Sequence, residues 1–337
     1  MKKAKRLWED VITLDNVQRA YVNARRGKRH RPDVIAYAAH LKDELSALQE
    51  QLYQGRVKVG DYHFFKIFDP KERRICAAPF RERVLHHALM NVCEPVFERF
   101  LIHDTYACRR GKGRLAAIAK AKQHVRRYGW YAKMDVRHYF ETLPHAGLKE
   151  RLRRLFADGK VLAMLEQIIR SYATEPGRGL PIGNLTSQHF ANFYLGYLDR
   201  YVKETLKVKP YLRYMDDFVL WADSRAEVVA LAADAERFVS HELDLQLKPV
   251  VINRTTHGMD FLGFRLFPDR TKLTARNKQR FIRRTRELCS PEDHAKYGED
   301  GIAQRLTAWC AFLEQADTLE LRRKVFSRAN DWLDSFS

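Results

Sequence analysis

The sequence predicts a mixed α/β (α+β) protein in which an antiparallel sheet is backed by helices. Three observations carry this. Short apolar runs such as WYAKMDV (130–136) and YLRYMDDFVLWA (211–222) alternate with longer stretches of helical period. Turn residues separate them, most densely at Gly177, Gly179, Pro181 and Gly183. Hydrophobic residues make up 45% of the 337 residues, enough for a sizeable core.

Residues 1–31 carry a basic cluster, ARRGKRHR at 24–31, which reads equally as a solvated loop or as a contact surface. Asp33 is placed to cap a helix. Leu41, Leu45, Leu48 and Leu52 then follow at spacings of four, three and four, and Gly55 stops the run. Residues 57–79 alternate as short strands around the basic turn FDPKERR, and residues 82–102 are helical in pattern. A helix is expected from Gly113 to Tyr128, and a strand at 130–136. Two helices are expected at 146–157 and 160–172, the Gly/Pro loop next, and a long helix at 187–206. Two strands flank the acidic pair Asp216-Asp217. Residues 225–243 read as a helix, 245–267 as strands, and the tail from 276 as basic and then helical.

Sixty-one Lys and Arg against 42 Asp and Glu leave a formal charge of +19. An excess of this size predicts a polyanionic partner, through phosphate contacts and counterion release. The plain alternative is a basic protein that is merely soluble. Cys76, Cys93, Cys108, Cys289 and Cys310 are odd in number and scattered, with no C-x-x-C pair. That argues against a disulfide framework or a zinc site and for a reducing compartment. The N-terminus is basic without a continuous apolar stretch, unlike a signal peptide. No apolar run approaches the roughly 20 residues that span a bilayer. The expectation is a cytoplasmic protein with no membrane partner.

Adjacent carboxylates are common in turns, where Asp tolerates the geometry. Here, however, the flanks YLRYM and FVLWA would bury in a sheet, where two like charges repel and lose hydration. A cation must compensate, and a hard divalent metal suits carboxylate oxygen. Asp135, at the end of the apolar strand AKMDV, offers a third carboxylate, or else caps the next helix. Two metals about 4 Å apart on such a set would stabilise both the attacking and leaving oxygens of a displacement at phosphorus.

YMDD between two strands, after a strand running into MDVRHYF, resembles the palm of reverse transcriptases. Other segments resemble that family in its order: RRICAAPFRERVLHHAL (73–89), YACRRGKGRLAAI (106–118), GLPIGNLTSQHFANFYL (179–195), LQLKP (245–249) and FLGF (261–264). The resemblance covers about residues 60–270 and implies a right-hand polymerase. Its parts would be an N-terminal basic helical extension (1–56), fingers (57–129), the first palm strand (130–144) and a helical insertion (145–178). The palm with its YMDD hairpin and primer grip (179–267) and a basic helical thumb (268–337) would complete it.

By that resemblance, Asp135 and Asp216 would hold two Mg²⁺ ions, for which Mn²⁺ could substitute. Asp217 would stand beside them and the carbonyl of Val136 would complete the nucleotide metal site. Phe140 would exclude a ribose 2′-hydroxyl, or else it is a core aromatic. Arg74 and Arg81 would meet the triphosphate, with Arg73 as a register alternative, and such forks suit phosphate. Lys248 would protonate the leaving pyrophosphate. Ile182 and Gly183 would lie beside the incoming nucleotide, with Gln188 on the template and Gly263 at the primer. On the thumb helix RNKQRFIRRTREL, Lys278, Arg280, Arg283, Arg284 and Arg286 would track duplex phosphates.

LPIGNLTSQ departs from most of the family, which carries Gln where Ile182 stands and often ends the segment in Ser-Pro. In this it resembles the reverse transcriptases of diversity-generating retroelements. Those enzymes copy a template-repeat RNA into cDNA with errors mainly opposite adenine, often with a small basic accessory variability protein, in bacteria, archaea and their phages. Ile offers volume but no hydrogen bond, and one lost positioning contact is worth about 1 kcal/mol. A retron- or group II intron-like polymerase of ordinary fidelity is the alternative within the class. A non-catalytic RNA-binding scaffold is the alternative outside it.

Overall fold

The computed structural model describes residues 2–68 and 72–334, without the side chains of Arg73 and 329–334. The FDPKERR turn lies in part outside these residues. The N-terminal segment is more ordered than its basic composition suggests. It forms α1 (Trp8–Val11) and α2 (Leu14–Ala24). Thr13 caps α2 by accepting from the Asn16 amide at 3.2 Å, and Val17, Ala20, Tyr21 and Ala24 are buried. Asp33 is not the cap expected from the sequence. In α3 (Pro32–Ala39), Arg31 holds that position and Pro32 opens the helix. Asp33 therefore sits in the first turn, bonded to the Val34 amide and to Arg83. The leucine run is a separate helix, α4 (Leu41–Gln54), set off by a break at His40 and closed by Gly55 as expected.

An antiparallel ribbon follows, β1 (His63–Phe68) with β2 (Glu72–Ala77). The long α5 (Phe80–Phe100) then runs through the core. Next come α6 (Arg114–Arg127), β3 (Trp130–Asp135), the single turn α7 (Tyr139–Thr142), α8 (His145–Leu155) and α9 (Gly159–Arg170). The helix expected to reach 206 is α10 (Leu185–Arg200), continued by a wider π-type turn at Tyr201–Thr205. That turn carries Tyr201 onto Phe238, ring centroids 4.3 Å apart, and buries Val202.

β4 (Tyr211–Tyr214), β5 (Asp217–Ala222), α11 (Arg225–His241) and β6 (Val251–Arg254) complete the central layer. Its sheet order is β4-β5-β3-β6, antiparallel throughout. One face, with Ala132, Met134, Tyr211, Phe218 and Leu220, joins the main core with α10 and α11. The other, with Tyr131, Leu212, Val219 and Trp221, packs on α6, β7 (Met259–Phe261) and β8 (Phe264–Leu266). Burial on both faces explains why these strands read as continuous apolar runs. β9 (Thr271–Leu273) adds to β8. The C-terminal α12 (Ala275–Leu288), α13 (Pro291–Leu313) and α14 (Leu319–Asp334) close on their own small core of Phe281, Leu313 and Val325. Among the described residues, no helix is long and apolar enough to cross a membrane.

Candidate active site

β3 and β5 pair so that Asp135 faces Asp217 across the ladder. Tyr214 and Asp217 also pair, leaving Met215 and Asp216 as a two-residue turn. The Val136 amide donates to the Asp216 carbonyl at 3.3 Å. Three aspartates thus stand on two adjacent strand ends. Residues 246–248 run alongside: the Lys248 amide donates to the Asp135 carbonyl at 2.9 Å, and its ammonium stands 2.5 Å from Asp135 Oδ1. Lys133 holds Asp217 Oδ2 at 3.2 Å, and Asp217 Oδ1 has no hydrogen-bond partner. Burial pushes the Asp217 carboxyl up to about 7 despite Lys133, with the charges of Asp135 and Asp216 acting in the same upward sense.

Among the described residues, no three His, Cys, Asp or Glu side chains stand close enough to cage a metal. The strand ends that carry Asp135, Asp216 and Asp217 do stand together, and the charges of Asp135 and Asp216 reach the Asp217 carboxyl. Lysines hold two of the three carboxylates. The donors still fit a hard divalent cation: carboxylate oxygens on adjacent strand ends, one of them orphaned.

Beneath the turn lies a device that the sequence did not reveal. Arg213 is fully buried and all five of its N–H donors are used. Nε and Nη2 bind Asp199 at 2.7 and 2.6 Å, and Nη1 and Nη2 bind the side-chain and main-chain oxygens of Asn192, both at 2.9 Å. The last donor, on Nη1, reaches the Met215 carbonyl at 2.8 Å. Asp199 also accepts from Thr105 and Tyr211 at 2.7 and 2.6 Å. Met215 has φ +58°, a left-handed conformation that strains a side-chain-bearing residue. The guanidinium thus fixes the turn that carries Asp216 to α10.

The remaining expected residues are distributed as follows. Phe140 is half-buried in α7, and its carbonyl accepts from the Leu180 amide at 2.6 Å. The Ile182 carbonyl accepts from the Cys76 amide at 2.8 Å. Gly183 has φ +119°, and a Cβ there would stand 2.8 Å from the Cys76 carbonyl. The pair Ile182-Gly183 is therefore where the β1–β2 ribbon is tied to the start of α10. Gln188 accepts from the Cys108 thiol at 3.5 Å and lines a cavity of about 200 Å³ with Lys28 and Arg83. Arg74 lies over the Phe64 ring at 4.1 Å, whereas Arg81 turns to Glu44 of α4 at 3.4 Å. The side chain of Arg73 is outside the described residues. Leu262 and Gly263 form a second two-residue turn, with φ +46° and +88°. Arg114 donates to the Leu262 carbonyl at 2.7 Å and Asn277 to the Gly263 carbonyl at 3.0 Å. Lys278 and Arg283 are exposed on α12, Arg283 with Glu287 at 3.5 Å.

The profile of the family described as "Reverse transcriptase (RNA-dependent DNA polymerase)" matches residues 68–266. Protein YkfC of Escherichia coli is 24% identical over 283 residues, which cover 69% of this chain and 74% of that protein. The putative COX1/OXI3 intron 2 protein of Saccharomyces cerevisiae is 22% identical over 130 residues, 36% of this chain and 15% of that one. Among solved structures, apo telomerase from Candida tropicalis aligns with a TM-score of 0.49 at 12% identity, over 63% of this chain and 55% of that chain. Telomerase from Candida albicans, in complex with a fragment of telomeric RNA, aligns at 0.47 and 11%, over 80% and 54%. The chain thus spans just over half the length of these telomerase chains.

Proposed function

The chain belongs to the reverse transcriptase (RNA-dependent DNA polymerase) family, and on that premise we propose that it copies RNA into DNA at the open edge of the four-stranded sheet. A primer 3′-oxygen bonds to the α-phosphorus of a dNTP while the bond to pyrophosphate breaks. The observation that carries this is the pairing of Asp135 with Asp217, with Asp216 in the adjoining turn and Lys248 on Asp135. Asp135 and Asp216 would hold two Mg²⁺ (or Mn²⁺) ions, with Asp217 and the Val136 carbonyl beside them. When bound, the ions favour the ionised hydroxyl and offset charge on the phosphates. Lys248 donates a proton to the leaving pyrophosphate. Arg74 holds the triphosphate, and the Phe140 ring excludes the ribose 2′-hydroxyl. The partners are a template RNA, a primer with its growing cDNA, and dNTPs.

The intron proteins among its relatives favour a polymerase of the group II intron-like kind with ordinary fidelity. One observation favours a second reading. Ile182, followed by Ser187-Gln188, supports a diversity-generating enzyme that copies a template-repeat RNA with errors at adenine and works with an accessory variability protein.

Primer extension on a defined RNA with Mg²⁺ and dNTPs, followed by sequencing, tests both. Accurate DNA supports the intron-like reading, and errors concentrated opposite template adenine support the second. Asp216→Asn should abolish synthesis while RNA binding persists; full activity in that variant would remove the metal assignment. RNA binding without synthesis under any of these conditions would leave the scaffold reading.

A further inference from the structure

α12 displays its cations in two directions. Lys278, Arg283 and Arg286 are exposed on its outer side, whereas Arg280 and Arg284, one turn apart, line a cleft of about 620 Å³ against α13. Arg114 from α6 and Arg305 from α13 line the same cleft, as does the carboxylate of Asp293, and Arg284 is paired with Glu287 at 3.0 Å. Aromatic rings stand among these cations: the Arg305 guanidinium lies 3.7 Å from the Tyr297 ring centre, and that of Arg280 lies 5.8 Å from Trp309. A guanidinium stacked on a ring keeps its N–H edge for phosphate. A half-exposed ring stacks a base whatever its sequence. The volume lies in the range of small-ligand sites, room for one or two nucleotides but not for a duplex. Bases inside a duplex present no ring face for Tyr297 or Trp309 to stack.

We propose that this cleft binds an unpaired stretch of polynucleotide, with phosphates on Arg280, Arg284 and Arg305 and a base against Tyr297 or Trp309. Arg114 and Asn277 line the cleft and also hold the Leu262-Gly263 turn, so the bound strand lies directly behind that turn. The inference rests on the reading that the chain handles nucleic acid, and it assigns to the C-terminal helices a contact separate from any duplex groove.

The test is fluorescence anisotropy of the full chain, without metal or dNTP, so that binding is read apart from synthesis. The probes are a uridine-rich RNA strand of about eight nucleotides, the matching DNA strand, and a blunt RNA–DNA hybrid. Tyr297→Ala and the exposed Arg305→Gln should each weaken single-strand binding about tenfold near physiological salt, and hybrid binding less than twofold. Arg305→Gln should also flatten the log–log salt slope for the single strand by roughly 0.7. A 4-thiouridine strand should crosslink to Tyr297 or Trp309 of the unsubstituted chain. Equal loss on both substrates, unchanged single-strand affinity in Arg305→Gln, or crosslinks confined to other elements would each overturn the cleft. RNA and DNA strands responding alike would support recognition by backbone and base face; a response of RNA alone would support added recognition of the 2′-hydroxyl. Primer extension is run in parallel on pre-annealed hybrid. Wild-type chain that binds strands through the cleft but extends nothing would sink the polymerase reading and leave the cleft standing.

Discussion

Tyr211 donates its hydroxyl to Asp199 at 2.6 Å, on the same oxygen that receives Nε of Arg213. Tyr211→Phe removes one hydrogen bond to a buried charge and almost no volume. It should lower stability by about 1.5–3 kcal/mol in urea titration. Arg213→Lys keeps the charge but cannot reach five acceptors at once. Because the lost bonds include the one to Met215, synthesis should fall by much more than RNA affinity does, measured as kcat against binding on the same preparations. Equal loss of both would reduce Arg213 to a stability role. This network was not legible in the sequence, whereas the meeting of Asp135 with the Asp216-Asp217 pair was. A carboxylate ending an apolar strand is unusual wherever its partner lies. An Arg inside YLRYM reads as an ordinary strand residue until Asp199, on a separate helix, is seen to meet it. Gly183 was legible as a loop glycine, but its reason, the close approach of Cys76, needs the fold.

At the scale of elements, periodicity was a good guide wherever a helix had room to show a stripe. The leucine run gave α4 and its Gly55 stop, and the alternation of apolar runs and turns gave the central strands. The misses have different causes. α1 is a single turn, too short to show a stripe, whereas α2 does carry one in Val17, Ala20, Tyr21 and Ala24, which the basic cluster that follows it masks. The π-type turn after α10 was invisible because its first residues keep helical spacing. Thr13 tests whether α2 is an integral element. Thr13→Ala removes the side chain that receives the Asn16 amide, and it should cost about 1 kcal/mol, read as a lower denaturation midpoint with an unchanged slope. A loss of cooperativity instead would mean that α2 unfolds on its own.

For the whole molecule, burial of neutral histidines sets the acid limit. His87, His124 and His189 are each held at about 4, chiefly by burial. His145 is lowered as well, again by burial. In the unfolded chain each would titrate near 6.5, so below that pH the unfolded state takes up protons that the folded state refuses. Their contribution is complete above 6.5 and is lost as pH falls toward 4. Asp217 acts in the opposite sense. Raised to about 7, it keeps a proton in the folded state that the unfolded chain releases until pH nears the ordinary carboxylate range, which favours folding as pH falls. Three histidines with large shifts outnumber that single carboxylate, so stability should decline between pH 6.5 and 4.5, above the range where ordinary carboxylates titrate. Denaturant titrations at stepped pH measure this directly. Asp217→Asn should steepen the decline, because it removes the opposing proton, whereas His124→Gln should flatten it. His124 packs on Trp221, ring centres 4.8 Å apart, behind the strand that begins at Asp217. A profile that stays level through this window would mean that the histidines admit water and protons, and that the core around the central sheet is looser than its packing implies.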